Sequence, residues 1–186
     1  NVGITFPMVT SADEIREVKK IIRDIEAERS VKNSERIKIG AFIETISAVN
    51  DINNIIEEVD FINIGTNDLL HQFCGLNRKC STILKDNYLD PEFIKMVKLC
   101  VDIAKRRNKP VVVCGEMASD PISALVLLGL GVKDLSLTLG AFYDIYEIIG
   151  KVNCKDAEKI AEKVVQSQDI GEVKNILSNW LVLRSI

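Results

Sequence analysis

Five short runs, apolar through their centres, recur along the chain with amphipathic helical patterns between them: GITFPM, IKIGAFIE, DFINIG, PVVVCG and DLSLT. Parallel strands need a long crossover between them, usually a helix. This alternation therefore points to βαβ units and a parallel sheet. Apolar centres are what strands covered on both faces require.

The helical patterns carry their own start signals. SADEIREVKKIIRDIEAE opens with Ser11 and Glu14 at the spacing of a capping box and sets Ile15, Val18, Ile22 and Ile25 on one stripe. A second pattern follows Glu44, with Val49, Ile52, Ile56 and Val59 inward. Asp90 and Pro91 begin a third, with Phe93, Val97, Cys100, Val101 and Ala104 inward and Lys105, Arg106 and Arg107 at the negative end of its dipole. Asp120 and Pro121 repeat that start before ISALVLLGLG, which is apolar nearly all round and so predicts burial on several sides. The last stretch, from FYDIYEIIGKV onward, reads as helices with no further strand. Five parallel strands fit either an open doubly wound sheet or the latter part of an eight-stranded barrel, and periodicity does not choose.

Composition narrows the function classes. With 186 residues, 47% hydrophobic and 27% charged, the expectation is one globular domain. The net charge of -3, with basic residues dispersed among acidic ones, leaves no electrostatic footprint for nucleic acid. Five cysteines, odd in number and without CxxC spacing, argue against a disulfide framework and a zinc site and predict reduced thiols. No apolar run approaches the roughly 20 residues of a membrane span, and NVGITFPMV lacks the features of a signal peptide. A cytoplasmic protein with no membrane partner is expected.

Functional groups of parallel α/β folds gather at the carboxyl ends of the strands. Three of these ends are polar. GAFIE ends in Glu44, NIGTND in Asn67 and Asp68, and VVVCGE in Cys114, Gly115 and Glu116. Two carboxylates on rigid strand ends suit a hard divalent ion, and Mg²⁺ prefers one or two carboxylates plus phosphate oxygens. The structural alternative is that Glu44 pairs with a helix base and Asp68 caps the next helix. Arg78, in a polar loop, offers a fork for phosphate or carboxylate, or is a solvated charge. Cys114 is a candidate proton donor or nucleophile, or a small core residue. His71, the only histidine, is a candidate acid/base or phosphate carrier, or a supporting or surface group.

Taken together, GTNDL, an arginine ten residues after its aspartate, CGEMASDP followed by LVLLGLG, and FPM before a capped helix form a more specific pattern. It resembles the C-terminal phosphoenolpyruvate-binding domain of enzyme I of the bacterial sugar phosphotransferase system. The similarity runs from ITFPMVTSADEIREVKK to IYEIIGKVNCKDAEKIAEKVV. Pyruvate phosphate dikinase and phosphoenolpyruvate synthase share the GTNDL element, but CGEMASDP looks more like enzyme I.

The resemblance implies a TIM (β/α)₈ barrel, of which residues 1–186 would be the C-terminal part, with about five parallel strands and flanking helices and three strands missing. It implies Glu44 and Asp68 as Mg²⁺ ligands, and Asn67, Arg78 and Asp68 as the groups around the phosphate of phosphoenolpyruvate. Cys114 would be the acid that protonates the enolpyruvate carbon to give pyruvate, with Gly115 and Met117 lining the pocket. It further implies a homodimer, and the phosphocarrier protein HPr as partner through a missing N-terminal, histidine-bearing domain. A fragment of this kind is not expected to transfer phosphate alone. The other reading is a noncatalytic dimerisation or regulatory module that binds the same ligand. This chain departs from the family wording at Asn63, at Thr45 and Ile46 where a proline is expected, at Leu70 and His71, and at Asn77.

Overall fold

Each of the five apolar runs forms a strand: β1 Val2–Phe6, β2 Ile37–Ile43, β3 Phe61–Gly65, β4 Val111–Cys114 and β5 Asp134–Ser136. The computed structural model describes residues 2–29, 37–75 and 85–184, so Asn77, Arg78 and Cys80 lie outside the described residues. All neighbouring strands are parallel, and the sheet order is β1-β2-β3-β4-β5. A doubly wound sheet reverses its order at a switch point, whereas in a barrel every strand lies beside the next in sequence. The unbroken order makes this the barrel type and settles the choice that periodicity left open.

The crossovers are helical. They are α1 Ala12–Arg29, α2 Ile46–Asn50, α3 Ile52–Glu58, α4 Thr66–Phe73, α5 Pro91–Arg106 after a 3-10 turn at Lys85–Leu89, α6 Glu116–Ser119 and α7 Pro121–Gly129. After β5 come α8 Phe142–Gly150, α9 Cys154–Gln166 and α10 Ile170–Arg184, with no further strand among the described residues. None of these helices is long and apolar enough to cross a membrane.

Register divides the sheet into two unlike faces. Because paired residues of parallel strands point to the same side, Ala41 and Ile62 share one face with Ile43, Ile64 and Val113. All five are buried in the core beneath the helices. The opposite face carries Thr5, Lys38, Gly40, Phe42, Phe61, Asn63, Val112 and Cys114. Asn63 donates from Nδ2 to the Thr5 hydroxyl across that face at 3.4 Å. The ring of Phe61 occupies the space where a Cβ of Gly40 would stand. The expectation of equal cover on both faces is thus corrected. One face is closed by helices, while the other holds small, aromatic and polar side chains, as the interior of a barrel does.

The helix starts follow local chemistry with one correction. Asp90 Oδ1 accepts from the amides of Glu92 and Phe93, and Asp120 Oδ2 from the amide and hydroxyl of Ser123. At α1 the expected Ser11 box is altered: Glu14 keeps its backward reach, and Asp51 joins from another element. Glu14 reaches back to the amide and hydroxyl of Thr10, and Asp51, at the break between α2 and α3, accepts from the amide of Ala12. Asn54 and the Ala12 amide hold the Asp51 carboxyl below its ordinary range. The stripe of α1 is also only partly covered: Ile15 is buried, but Ile25 is 46% exposed. At the sheet ends, Val2 and Ile4 on β1 are exposed, as are Leu139, Phe142, Tyr143 and Tyr146 beyond β5.

Phe93 anchors the core, fully buried between Phe73 and Tyr88. Its replacement by alanine is expected to cost about 3–5 kcal/mol, read as a fall in the urea midpoint. Gly129 makes a sharper test, because a Cβ there would run into the carbonyl of Ala157 and the Cβ of Ala161 on α9. Helix propensity alone would favour alanine by about 1 kcal/mol, but the obstacle includes backbone. Gly129→Ala should therefore destabilise by about 1–3 kcal/mol in the same measurement.

Candidate functional site

Because all strands run the same way, their carboxyl ends form one edge, and the polar residues singled out from the sequence stand along it. Glu44 directly follows β2. Thr66, Asn67 and Asp68 make the first turn of α4 directly after β3, and Cys114 is the last residue of β4. Register pairs Gly65 with Cys114 and Cys114 with Ser136. Gly65 is needed for its emptiness. A Cβ there would lie 2.5 Å from Glu44 Oε2, so any side chain would displace the carboxylate.

Glu44 is only 7% exposed although it carries a carboxylate. Its Oε1 accepts the amide of Met8 at 2.8 Å, an arrangement reached with Met8 at φ 53°, in the left-handed region that non-glycine residues rarely occupy. The structural alternative, a pairing of Glu44 with a helix base, is not what the described residues show. Thr45 ties the same loop down: its hydroxyl donates to the carbonyl of Val9 and accepts from the amide of Ala48 to cap α2. The amide of Ile46 donates to Gln72 Oε1, a bond that a proline at that position could not make.

Cys114 is half-buried, with its thiol facing the carbonyl of Ile64 at 3.5 Å. Burial pushes the thiol pKa above its ordinary value, and the charges of Glu44 and then Asp68 raise it further. Both carboxylates therefore act on the same sulfur from neighbouring strand ends. Two hard carboxylates at neighbouring strand ends match the donor chemistry of Mg²⁺ completed by phosphate oxygens. Among the described residues, no group of three or more His, Cys, Asp and Glu stands close enough together to hold a metal ion.

A cavity of about 700 Å³ opens beside Cys114, lined by Asn67, Gly115, Glu116, Ser136 and Thr138 among others. Glu44 and Asp68 do not line it. Gly115, at φ +100°, makes the turn from β4 into α6. A Cβ there would stand 2.5 Å from both Asn67 Oδ1 and Thr66 Oγ1. The Thr66 hydroxyl donates to the Cys114 carbonyl at 2.7 Å, so β3 and β4 remain joined beyond their last strand residues.

The structure thus brings together Glu44, Asn67, Asp68 and Cys114, while Arg78 lies outside the described residues. Met117, expected near the pocket, is fully buried in the core instead. His71 sits in the last turn of α4, and its Nδ1–H donates to the Asn67 carbonyl at 2.7 Å. Met8, Gln72 and Tyr88 were not among the residues singled out. Their roles depend on long-range hydrogen bonds, and no local spacing signals those.

The chain is 30% identical over 189 residues to the phosphoenolpyruvate-protein phosphotransferase of Mycoplasma genitalium, a match that takes in 100% of this chain and 32% of that protein. The protein of the same name from Chlamydia trachomatis is 35% identical over 176 residues, covering 94% of the chain and 30% of the relative. That of Bacillus subtilis is 32% identical over 181 residues, covering 93% and 31%. The chain spans about a third of the length of these curated relatives. The family described as PEP-utilising enzyme, PEP-binding domain, matches residues 1–154, which include every strand and every residue of the edge just described. On that match the chain belongs to the PEP-binding domain family of PEP-utilising enzymes.

Proposed function

We propose that the protein carrying this chain is a phosphoenolpyruvate-protein phosphotransferase of the enzyme I kind. In this reading the domain binds phosphoenolpyruvate with Mg²⁺, passes the phosphoryl group to a histidine elsewhere in the protein and releases pyruvate. The observation that carries it is that Glu44, Asn67, Asp68 and Cys114 stand along one strand edge, where Cys114 lines the cavity beside Asn67. A neutral thiol next to anionic oxygens is arranged to give up a proton to a carbanion-like carbon.

Each residue then has a physical task. Glu44 and Asp68 would hold the metal, which when bound supplies positive charge to the oxygens of the transferring phosphoryl group. Asn67 donates to the phosphate from the wall of the cavity, and the Arg78 guanidinium clamps it. As the phosphorus–oxygen bond to enolpyruvate breaks, the methylene carbon takes the Cys114 proton. A carbon–hydrogen bond forms as the sulfur–hydrogen bond breaks. Solvent then returns a proton to the thiolate. Removing the enolate as pyruvate drives the transfer forward.

The same reading makes residues 1–186 the five-strand latter part of a (β/α)₈ domain, and takes phosphate on from the histidine to HPr in the cytoplasm. Exposed Val2 and Ile4 at one sheet end, and Leu139, Tyr143 and Tyr146 at the other, support further protein covering both ends, including the partner of a homodimer. The free thiols of Cys74, Cys100, Cys114 and Cys154 suit a reducing compartment.

Two measurements test the assignment. In the full-length protein, Asp68→Ala should abolish Mg²⁺-dependent phosphoryl transfer. Cys114→Ala should retain phosphoenolpyruvate binding and block pyruvate release, and unchanged pyruvate formation in that variant would remove the acid role. A third reads the thiol itself. At pH 8, without metal, iodoacetamide should label Cys114 more slowly than exposed Cys154. Asp68→Asn should speed labelling of Cys114 alone, because removing a negative charge lowers the thiol pKa and raises the thiolate fraction.

A further inference from the structure

We infer that Tyr88 is a positioning residue for Asn67, fixing the carboxamide so that its NH₂ group, and not its oxygen, is presented to the substrate phosphate. The inference rests on the reading that this edge binds phosphoenolpyruvate, and it adds how the edge recognises the phosphate.

Asn67 Oδ1 accepts two hydrogen bonds, from the Tyr88 hydroxyl at 2.9 Å and from the backbone amide of Glu116 at 2.8 Å. A backbone amide only donates, so the atom that meets it must be the oxygen, and the two donors together occupy the two lone pairs. The NH₂ group is left over. Among the described residues no group accepts from it, and Asn67 stands in the wall of the 700 Å³ cavity beside Cys114. A phosphate offers only acceptors, so the orientation that the Glu116 amide selects and the Tyr88 hydroxyl holds in place is the one that can bind it. The reversed carboxamide would set its NH₂ against the Glu116 amide, donor against donor, and its oxygen against the phosphate.

Tyr88 is built for this. It is 2% exposed, with its ring edge-on to Phe93 at a centroid distance of 6.2 Å. Burial pushes its hydroxyl pKa well up, and the charge of Glu116 adds to this, so the hydroxyl remains a donor across the working pH range. The second donor depends on Gly115, whose φ of +100° turns the Glu116 amide toward Asn67 and leaves no room for a Cβ. Three separate segments thus converge on one oxygen: the 3-10 turn, the start of α4 and the turn after β4.

Tyr88→Phe keeps the ring and its packing and removes one donor. In the full-length protein with Mg²⁺, this variant should raise KM for phosphoenolpyruvate about fivefold, the worth of one ordinary hydrogen bond, while kcat changes much less. The double-mutant cycle separates positioning from packing. In an Asn67→Ala background, Tyr88→Phe should add no further loss, since there is no carboxamide left to orient. Two results would overturn the inference alone: an unchanged KM for Tyr88→Phe where Asn67→Ala weakens binding, or a full additional loss in the Asn67→Ala background. Wild-type protein that neither binds nor consumes phosphoenolpyruvate would overturn the functional reading as well.

Discussion

The in-register pairing of Gly65 with Cys114 is the contact on which the candidate site depends. It sets the last residue of β4 beside the one position on β3 that carries no side chain. The Glu44 carboxylate fills the space so created and brings its charge to bear on the Cys114 sulfur. A slip of one residue in this pairing would turn Cys114 to the helix-covered face, where the thiol would be one more buried hydrophobe. Such a slip is resisted by the other side of the sheet, because Ile62, Ile64 and Val113 would then lose their cover.

Around that pairing, the edge is held by side chains that bond across elements. Thr66 reaches the Cys114 carbonyl, Thr45 reaches Val9, and Gln72 reaches the amide of Ile46. No buried side-chain nitrogen or oxygen among the described residues is left without a partner. A satisfied network of this kind fixes the geometry of polar groups that would otherwise be mobile. Met8 is the exception in backbone terms: its left-handed conformation is unfavourable in itself and is offset by delivering an amide to a buried carboxylate. The cost falls where the carboxylate must be held still.

The two faces of the sheet differ in chemistry. The helix-covered face is apolar and packs into the core. The other face carries Thr5, Asn63 and Cys114, the last of which lines the cavity. Apolar side chains are exposed at both ends of the sheet, Val2 and Ile4 at one and Leu139, Phe142, Tyr143 and Tyr146 at the other.

Much of this was legible in the sequence. The five strands, the Asp-Pro helix starts at Asp90 and Asp120 and the inward residues of α5 follow from short-range rules, because strand alternation and capping are decided within a few residues. The grouping of Glu44, Asn67, Asp68 and Cys114 was legible too, since parallel strands put their carboxyl ends on one side. The full cap of α1 was not, because Asp51, 39 residues away, takes the amide of Ala12, a partner that no local spacing signals. Nor was Tyr88, which meets Asn67 across a 21-residue separation from a loop without periodicity. Sequence alone therefore determined which residues could reach the edge, through local propensity and strand direction. Only the tertiary structure decided strand order, the empty place at Gly65 and the orientation of Asn67, because these depend on register and on hydrogen bonds between segments that no local pattern encodes.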